Sequence, residues 1–161
     1  MAKLNELPVK RKSDYLKYWR SIYHYTKRKH NLTGSDIDML LFLYSESYFT
    51  MKTFLSFDRS LHLDRNRLKK LVERGFIDIF KKTKGPHAAY YQMSRKGSSL
   101  VATLYRQLDG GLVQEQNSPL YAKKKQTYMD KRHIEQIQRR NELIRLQQRQ
   151  TREEPYTERL I

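Results

Sequence analysis

The sequence predicts a mainly helical protein with one small β-hairpin, and three neighbouring patterns support this prediction. Residues 33–44 place apolar side chains at helical spacing, and residues 64–74 form an amphipathic helix that is basic on its polar side. Residues 76–83 then alternate between apolar and polar types, and Gly85 and Pro86 form a turn before a returning strand. Helices followed at once by a hairpin indicate a winged helix-turn-helix, with N- and C-terminal flanking helices.

The chain is strongly basic and has no cysteine. Its 161 residues carry 33 lysines and arginines against 17 acidic residues, which gives a formal net charge of +16. This charge predicts a polyanionic partner, with nucleic acid ranked before an anionic membrane surface, because solubility alone needs a much smaller charge. The absence of cysteine excludes disulfides and thiolate metal sites.

The sequence also bears on where the protein works. No apolar run is long enough to cross a bilayer, and the first residues contain no hydrophobic signal core. We therefore expect a cytoplasmic, nucleoid-associated protein, or a virion protein if the chain is of viral origin.

The N-terminal part divides into an arm and a helix. Residues 1–12 are polar and contain Pro8 and three successive basic residues, so we expect a flexible basic arm. Ser13 or Asp14 can cap a helix that runs to about His30. An aromatic stripe lies along this helix at helical spacing, and it predicts packing against a core in preference to base stacking.

Two more helices precede the basic one. The helix of residues 33–44 has an acidic first turn, which suits the positive N-terminal end of a helix. A short third helix follows from about Thr50 to Phe57. The near-neutral charge of residues 31–60, between two basic regions, is typical of a core helix pair flanked by contact surfaces.

The fourth helix, from about Asp64 to Arg74, carries the first group of candidate contact residues. It ends at Gly75, the position that a C-cap glycine occupies. A helix fits the major groove of duplex DNA, where arginine pairs with guanine and asparagine with adenine through two hydrogen bonds each. The predicted DNA-binding residues of this helix are Arg65, Asn66, Arg67, Lys69, Lys70 and Arg74. The N-terminal Arg65 and Asn66 are the candidates for base contacts.

The hairpin, or wing, of residues 80–90 carries the second group. Its basic tip can reach the DNA backbone or the neighbouring minor groove. The predicted contacts of the wing are Lys81, Lys82, Lys84 and His87.

A helix and a basic extension follow the hairpin. The stretch after the returning strand predicts a helix that ends at Gly110 and Gly111, and residues 120–152 are again helix-prone and rich in basic side chains. Apolar residues and one asparagine recur there at heptad-like spacing over about two heptads, which is weak evidence for a coiled coil. The predicted division is a basic arm at 1–12, a winged-helix domain with its N-terminal helix at 13–111, and a basic helical extension at 112–161.

Catalytic and metal chemistry are not predicted. The five histidines are scattered without H-x-H or H-E-x-x-H spacing, and the chain contains neither a G-x-G-x-x-G nor a Walker loop. Nothing pairs one of the 12 tyrosines with an activating group. We therefore expect a binding module that is not an enzyme and that uses no cofactor or metal.

Three stretches also carry a family resemblance. They are "LTGSDIDMLLFL" for the opening helix, "RNRLKKLVERGFI" for the recognition helix and its exit into the wing, and "MSRKGSSLV" for the last wing strand and the next helix. In these stretches, residues 32–108 resemble the winged-helix domain of the MarR family of bacterial regulators. The resemblance implies transcriptional control, often released by a small anionic or aromatic ligand. It also implies a homodimer whose lobe consists of the helices at 13–30, 95–109 and 120–150, with each winged domain bound to half of a near-palindromic site in double-stranded DNA.

The basic C-terminal helix leaves a second interpretation open. The chain could instead be a phage or viral structural or architectural protein that binds nucleic acid without sequence preference or docks to other proteins through this helix. Binding of the same helix to a membrane is not expected, because its apolar face is thin and lacks Trp and Phe.

Overall fold

The computed structural model describes residues 15–56, 64–82, 89–115, 118–122 and 126–153. Within these ranges the chain is mainly helical, with one small antiparallel sheet of three strands. The elements in chain order are α1 (Tyr15–His30), α2 (Gly34–Leu43), β1 (Phe49–Thr50), α3 (Met51–Ser56), α4 (Arg65–Glu73), β2 (Ile77–Lys82), β3 (Ala89–Met93), α5 (Arg95–Leu108), a 3₁₀ turn (Pro119–Tyr121) and α6 (Tyr128–Glu153). The predicted basic arm at 1–12 lies outside the described residues.

The aromatic stripe of α1 packs into the core, as its spacing predicted. Ile22 and Tyr25 are fully buried, and Tyr18, Trp19 and Tyr23 pack partly buried against the same core. This core is continuous from α1 through α2, α4 and α5 to the sheet. The stripe therefore holds the fold together and is not a platform for bases.

Helix α2 is capped at its start by Thr33. The backbone N–H of Asp36 donates to Oγ1 of Thr33 at 3.3 Å, and the backbone N–H of Thr33 donates to the Asp36 carboxylate at 2.8 Å. This reciprocal pair is a capping box, which satisfies two backbone donors that the helix itself leaves unpaired.

The third helix was predicted about one residue too long at its start. Thr50 belongs to strand β1, and α3 begins at Met51. The β1 strand pairs with β3, so that the strand order of the sheet is β1–β3–β2. The sequence analysis missed β1 because two residues are too few to show a strand alternation.

Helix α6 packs against α1 of the same chain. Ile137 and Asn141, two of the heptad-like positions, are fully buried. The Asn141 side chain accepts a hydrogen bond from the backbone N–H of Val113 at 3.0 Å and donates to its carbonyl at 2.8 Å. Arg140, also buried, donates to the carbonyls of Gln107 and Gly111. The N-terminal half of the basic extension is thus folded onto the rest of the chain.

One buried carboxylate joins α6 to α1. Asp130 lies 2.7 Å from Nε2 of His24 and 3.5 Å from the guanidinium of Arg28. Its carboxylate also accepts the backbone N–H of Thr127 at 2.9 Å. Burial alone would raise the pKa of Asp130, but these hydrogen bonds and charges outweigh burial and lower it to about 2.

We expect the Asp130→Asn variant to be about 1–2 kcal/mol less stable than the wild type at neutral pH, because a neutral amide loses the ion pair with Arg28 and the charge that strengthens the hydrogen bonds to this carboxylate. A lowered pKa means that the carboxylate stabilises the fold above its ordinary pKa of 3.8 and loses this effect as the pH falls toward about 2. The difference between variant and wild type should therefore shrink over that interval. Urea unfolding at several pH values measures it, with Glu142→Gln, an exposed position on the same helix, as the control. A difference that does not change with pH would contradict the prediction.

Candidate nucleic-acid interface

Helix α4 has well-defined ends. The side chain of Asp64 caps its start by accepting the backbone N–H of Asn66 at 3.1 Å. At its end, the N–H groups of Gly75 and Phe76 donate to the carbonyls of Val72 and Leu71, both at 2.9 Å. This is a Schellman motif, and it needs Gly75 because the residue adopts φ = 73°. The predicted helix from Asp64 to the Gly75 cap is confirmed.

The two faces of α4 differ sharply in burial. Leu68 and Leu71 are each 1% exposed and fix the helix to the core. The opposite face is exposed and carries Arg65, Asn66, Lys69, Lys70 and Glu73. The two residues predicted to contact bases lie in the first turn, and the two lysines among the predicted DNA-binding residues lie one turn later.

Arg67 makes contacts within the chain that the sequence pattern did not predict. One of its guanidinium nitrogens donates to the Asp36 carboxylate at 2.9 Å and to Oγ1 of Thr33 at 2.6 Å. Burial would raise the pKa of Asp36, but the hydrogen bonds from Thr33 and Arg67 outweigh it and lower the pKa. Arg67 therefore joins α4 to the start of α2 and orients the exposed face of α4. One guanidinium nitrogen is thus engaged within the chain, and contact of Arg67 with DNA stays a prediction.

Arg74 is also engaged within the chain, although it is exposed. Its guanidinium donates to the carbonyl of His30 at 2.7 Å and lies over the Phe76 ring at 5.4 Å. On the same ring, the ammonium of Lys96 sits 4.3 Å from the centroid and donates to the Arg74 carbonyl at 2.8 Å. These groups concentrate positive charge beside the end of α4. Burial, together with Lys29, Lys96 and Arg74, lowers the pKa of His30.

Sequence reasoning missed Lys96. Lys96 lies in the first turn of α5, shortly after strand β3. The helical pattern of this segment predicts a helix that packs on the core, and it gives no sign of a contact with the end of α4. The tertiary structure brings Lys96 to the Phe76 ring and thus to the end of α4.

The hairpin strands carry the described part of the wing. Strands β2 and β3 pair antiparallel, and the register shifts between Ile79 and Lys81. Ile77 is buried, whereas Ile79 is 39% exposed, because the hairpin extends beyond the core. Lys81 and Lys82 are exposed. Lys84 and His87, the other predicted wing residues, lie outside the described residues.

The joint between α4 and the hairpin consists of residues 74–76, and its backbone is hydrogen-bonded throughout. The N–H of Arg74 donates to the carbonyl of Lys70, and the following two N–H groups complete the Schellman motif. The carbonyl of Phe76 accepts the N–H of Ser94 at 3.2 Å, and Oγ of Ser94 donates to the Gly75 carbonyl at 2.7 Å. A joint with these bonds holds the hairpin at a fixed angle to α4.

Other kinds of site find little support in the described ranges. No described helix has the length and apolarity needed to pass through a membrane. No cluster of three or more histidine, aspartate or glutamate side chains there has the arrangement of a metal site. The chain matches no protein-family model, no curated protein and no solved structure. The exposed residues of α4 and the hairpin, and the geometry that joins them, are therefore the features that point to a function.

Proposed function

We propose that residues 32–108 form a winged helix-turn-helix that binds duplex DNA, with α4 as the recognition helix and the β2–β3 hairpin as the wing. One observation carries the proposal. The exposed face of α4 presents Arg65 and Asn66 at its N-terminal end and is held by a hydrogen-bonded joint beside a basic hairpin. The N-terminal residues of a recognition helix are those that reach base edges in the major groove.

The sheet supports the proposal because it anchors the hairpin. Strand β1 lies between α2 and α3 in the chain, and it pairs with β3 through Phe49 with Tyr91 and Thr50 with Tyr90. The hairpin is thus attached to the helical unit at both of its ends. A wing fixed in this way can place its lysines along the same duplex that α4 enters.

The proposed contacts with DNA are of two chemical kinds, one for bases and one for phosphates. Arg65 and Asn66 offer paired donors and acceptors that distinguish guanine and adenine from other bases. Lys69, Lys70 and Lys82 offer single positive charges, which suit phosphates and add affinity without sequence choice.

We further propose that the protein acts as a dimeric, MarR-like transcriptional regulator on a near-palindromic site. The resemblance of residues 32–108 to that family supports this, and so does the exposed surface of α6. Leu143 and Leu146 on α6 are 49% and 48% exposed in a part of the helix whose other exposed side chains are polar or charged. A second subunit would remove these apolar side chains from water.

A second candidate is an architectural or virion protein that binds nucleic acid without sequence preference. The observation that favours it is the exposure of Lys131, Arg139, Arg149 and Arg152 on α6. The burial of Arg140 weakens it, because that side chain serves the fold.

The test is selection of bound fragments from a random duplex pool at physiological salt, followed by fluorescence anisotropy on the selected duplex and a scrambled one. We expect an enriched pseudo-palindrome and an affinity ratio of about 10³ or more. Tight binding with no enriched motif would overturn the regulator and favour the architectural candidate. No binding to any duplex would overturn both.

We expect Lys82→Ala to weaken binding to all duplex sequences by a similar factor and to reduce the slope of log affinity against log salt by about one. The reason is that an exposed wing lysine contacts a phosphate and releases one counterion. Salt titrations by anisotropy measure the slope. Lys131→Ala on α6 is the matched control and should change neither quantity. If Lys131→Ala lowered the slope and Lys82→Ala did not, the contact surface would be α6 and not the wing.

A further inference from the structure

The outer face of the sheet carries three exposed aromatic rings. Tyr48 is 52% exposed, Phe80 is 55% exposed and Tyr90 is 43% exposed. Tyr48 and Phe80 contact each other, with ring centroids 4.6 Å apart. The opposite face is the packed one, because Phe49 is buried there and its ring stacks on Tyr91 at 5.7 Å.

The strand register places Tyr90 on the face opposite the buried Phe49, and the ring contact between Tyr48 and Phe80 joins the other two rings to each other. Residues directly opposite each other on neighbouring strands point to the same side, and side chains along a strand alternate. Tyr90 lies opposite Thr50 of β1 and opposite Lys81 of β2, so these three side chains point to the same face of the sheet. Tyr48 lies just before β1, and its contact is with the Phe80 ring.

The bulge in β2 adds a positive charge to this face. In a regular strand Lys81 would share the side of Ile77 and Ile79. The register shift after Ile79 instead places Lys81 opposite Tyr90, on the aromatic side. Lys52, exposed at the start of α3, lies two residues beyond Thr50. Asp78 is an acidic residue on the same face. It lies opposite Gln92 of β3, three residues before Lys81 along β2.

Packing alone does not account for these rings. An aromatic pair that only stabilises a hairpin gains most when it is buried, yet both rings of the Tyr48–Phe80 pair keep about half of their surface in water. Exposed aromatic rings beside lysines are the combination that binds single strands, in which bases stack on rings and lysines meet phosphates. The net charge of +16 favours a nucleic acid over other occupants of an apolar face.

We propose that the aromatic sheet face (Tyr48, Phe80 and Tyr90, with Lys81) binds an unpaired nucleic-acid strand by base stacking. This site differs from the exposed face of α4, and its existence does not depend on duplex recognition by α4. A protein with both sites would bind a duplex next to an unpaired segment.

The experiment uses the full chain and a fluorescein-labelled oligothymidylate, measured by anisotropy at fixed salt. We expect the wild type to bind it and Phe80→Leu to bind about tenfold more weakly, because leucine keeps the apolar volume and removes the stacking surface. Phe80→Tyr keeps an aromatic ring at this position and should therefore bind oligothymidylate about as tightly as the wild type does. Tyr48→Phe is the matched control and should bind like the wild type. Because Phe80 lies on the hairpin that is also the proposed wing, each variant is titrated with a fully paired duplex as well, and the loss in Phe80→Leu should be larger on oligothymidylate than on the duplex.

Several results would overturn the proposal. The first is that the wild type does not bind oligothymidylate. The second is that Phe80→Leu and the wild type bind oligothymidylate with equal affinity. The third is that Phe80→Leu loses affinity for the paired duplex by the same factor as for oligothymidylate. Equal affinity for labelled polyglutamate would also overturn it, because charge alone would then explain binding. Asn66→Ala separates this proposal from duplex recognition, since it should leave the affinity for oligothymidylate unchanged.

Discussion

Replacing Asn66 with alanine is expected to remove about 1–3 kcal/mol of discrimination between the selected duplex and a scrambled one. The side chain is exposed in the first turn of α4, where a recognition helix meets base edges. An asparagine that pairs with adenine through two hydrogen bonds distinguishes that base from the others, and alanine does not. The loss should therefore appear on the selected duplex, while affinity for the scrambled duplex changes little.

The neighbouring Lys69→Ala variant provides the control for Asn66→Ala. Lys69 lies one turn later on the same exposed face, and we expect it to contact phosphate. Its loss should weaken binding to both duplexes by the same factor and leave their affinity ratio intact. Anisotropy titrations with both duplexes give this ratio for each variant. A ratio that is unchanged in Asn66→Ala would exclude Asn66 as a base contact.

Replacing Gly97 with alanine is expected to destabilise the protein by about 3 kcal/mol. Gly97 lies in the first turn of α5, and its backbone N–H donates to the Ser94 side chain that caps this helix. A β-carbon at this position would overlap the carbonyl of Phe76 and press on the Met93 side chain. Because the first obstacle is backbone, either α5 or the joint after α4 must move.

Urea unfolding measures the effect of Gly97→Ala, and Ser99→Ala is the matched control. Ser99 is exposed in the same helix, and alanine there should be neutral or slightly stabilising. A shifted joint would also change the angle between α4 and the hairpin, so Gly97→Ala should weaken duplex binding even where it remains folded. Equal stability of Gly97→Ala and the wild type would show that α5 can move away from Phe76 at little cost.

The parts of the fold predicted correctly have signals within a few residues. The limits of α4 follow from Asp64 before the helix and Gly75 after it, and the structure confirms both with hydrogen bonds. The burial of Ile22 and Tyr25 follows from their spacing along α1. Helical and strand periodicities are local properties, so a single sequence contains them.

The parts that were missed depend on pairs of residues far apart in the chain. Arg67 is indistinguishable by type and spacing from its neighbours on α4, and only the position of Asp36 on α2 determines its role. The face occupied by Lys81 depends on a register shift against β3. Asn141 is held by the backbone of Val113, 28 residues earlier in the chain, whereas its heptad-like spacing alone suits another subunit equally well.

The amino-acid sequence alone therefore determined that this protein is basic, mainly helical and equipped with a basic helix that leads into a hairpin. The tertiary structure decided which polar side chains are engaged within the chain: Arg67 and Arg140 donate hydrogen bonds to groups of the fold, whereas Arg65, Asn66, Lys69 and Lys82 are exposed. The physical reason is that charge and periodicity belong to each segment, whereas the availability of a side chain depends on which distant groups fold against it.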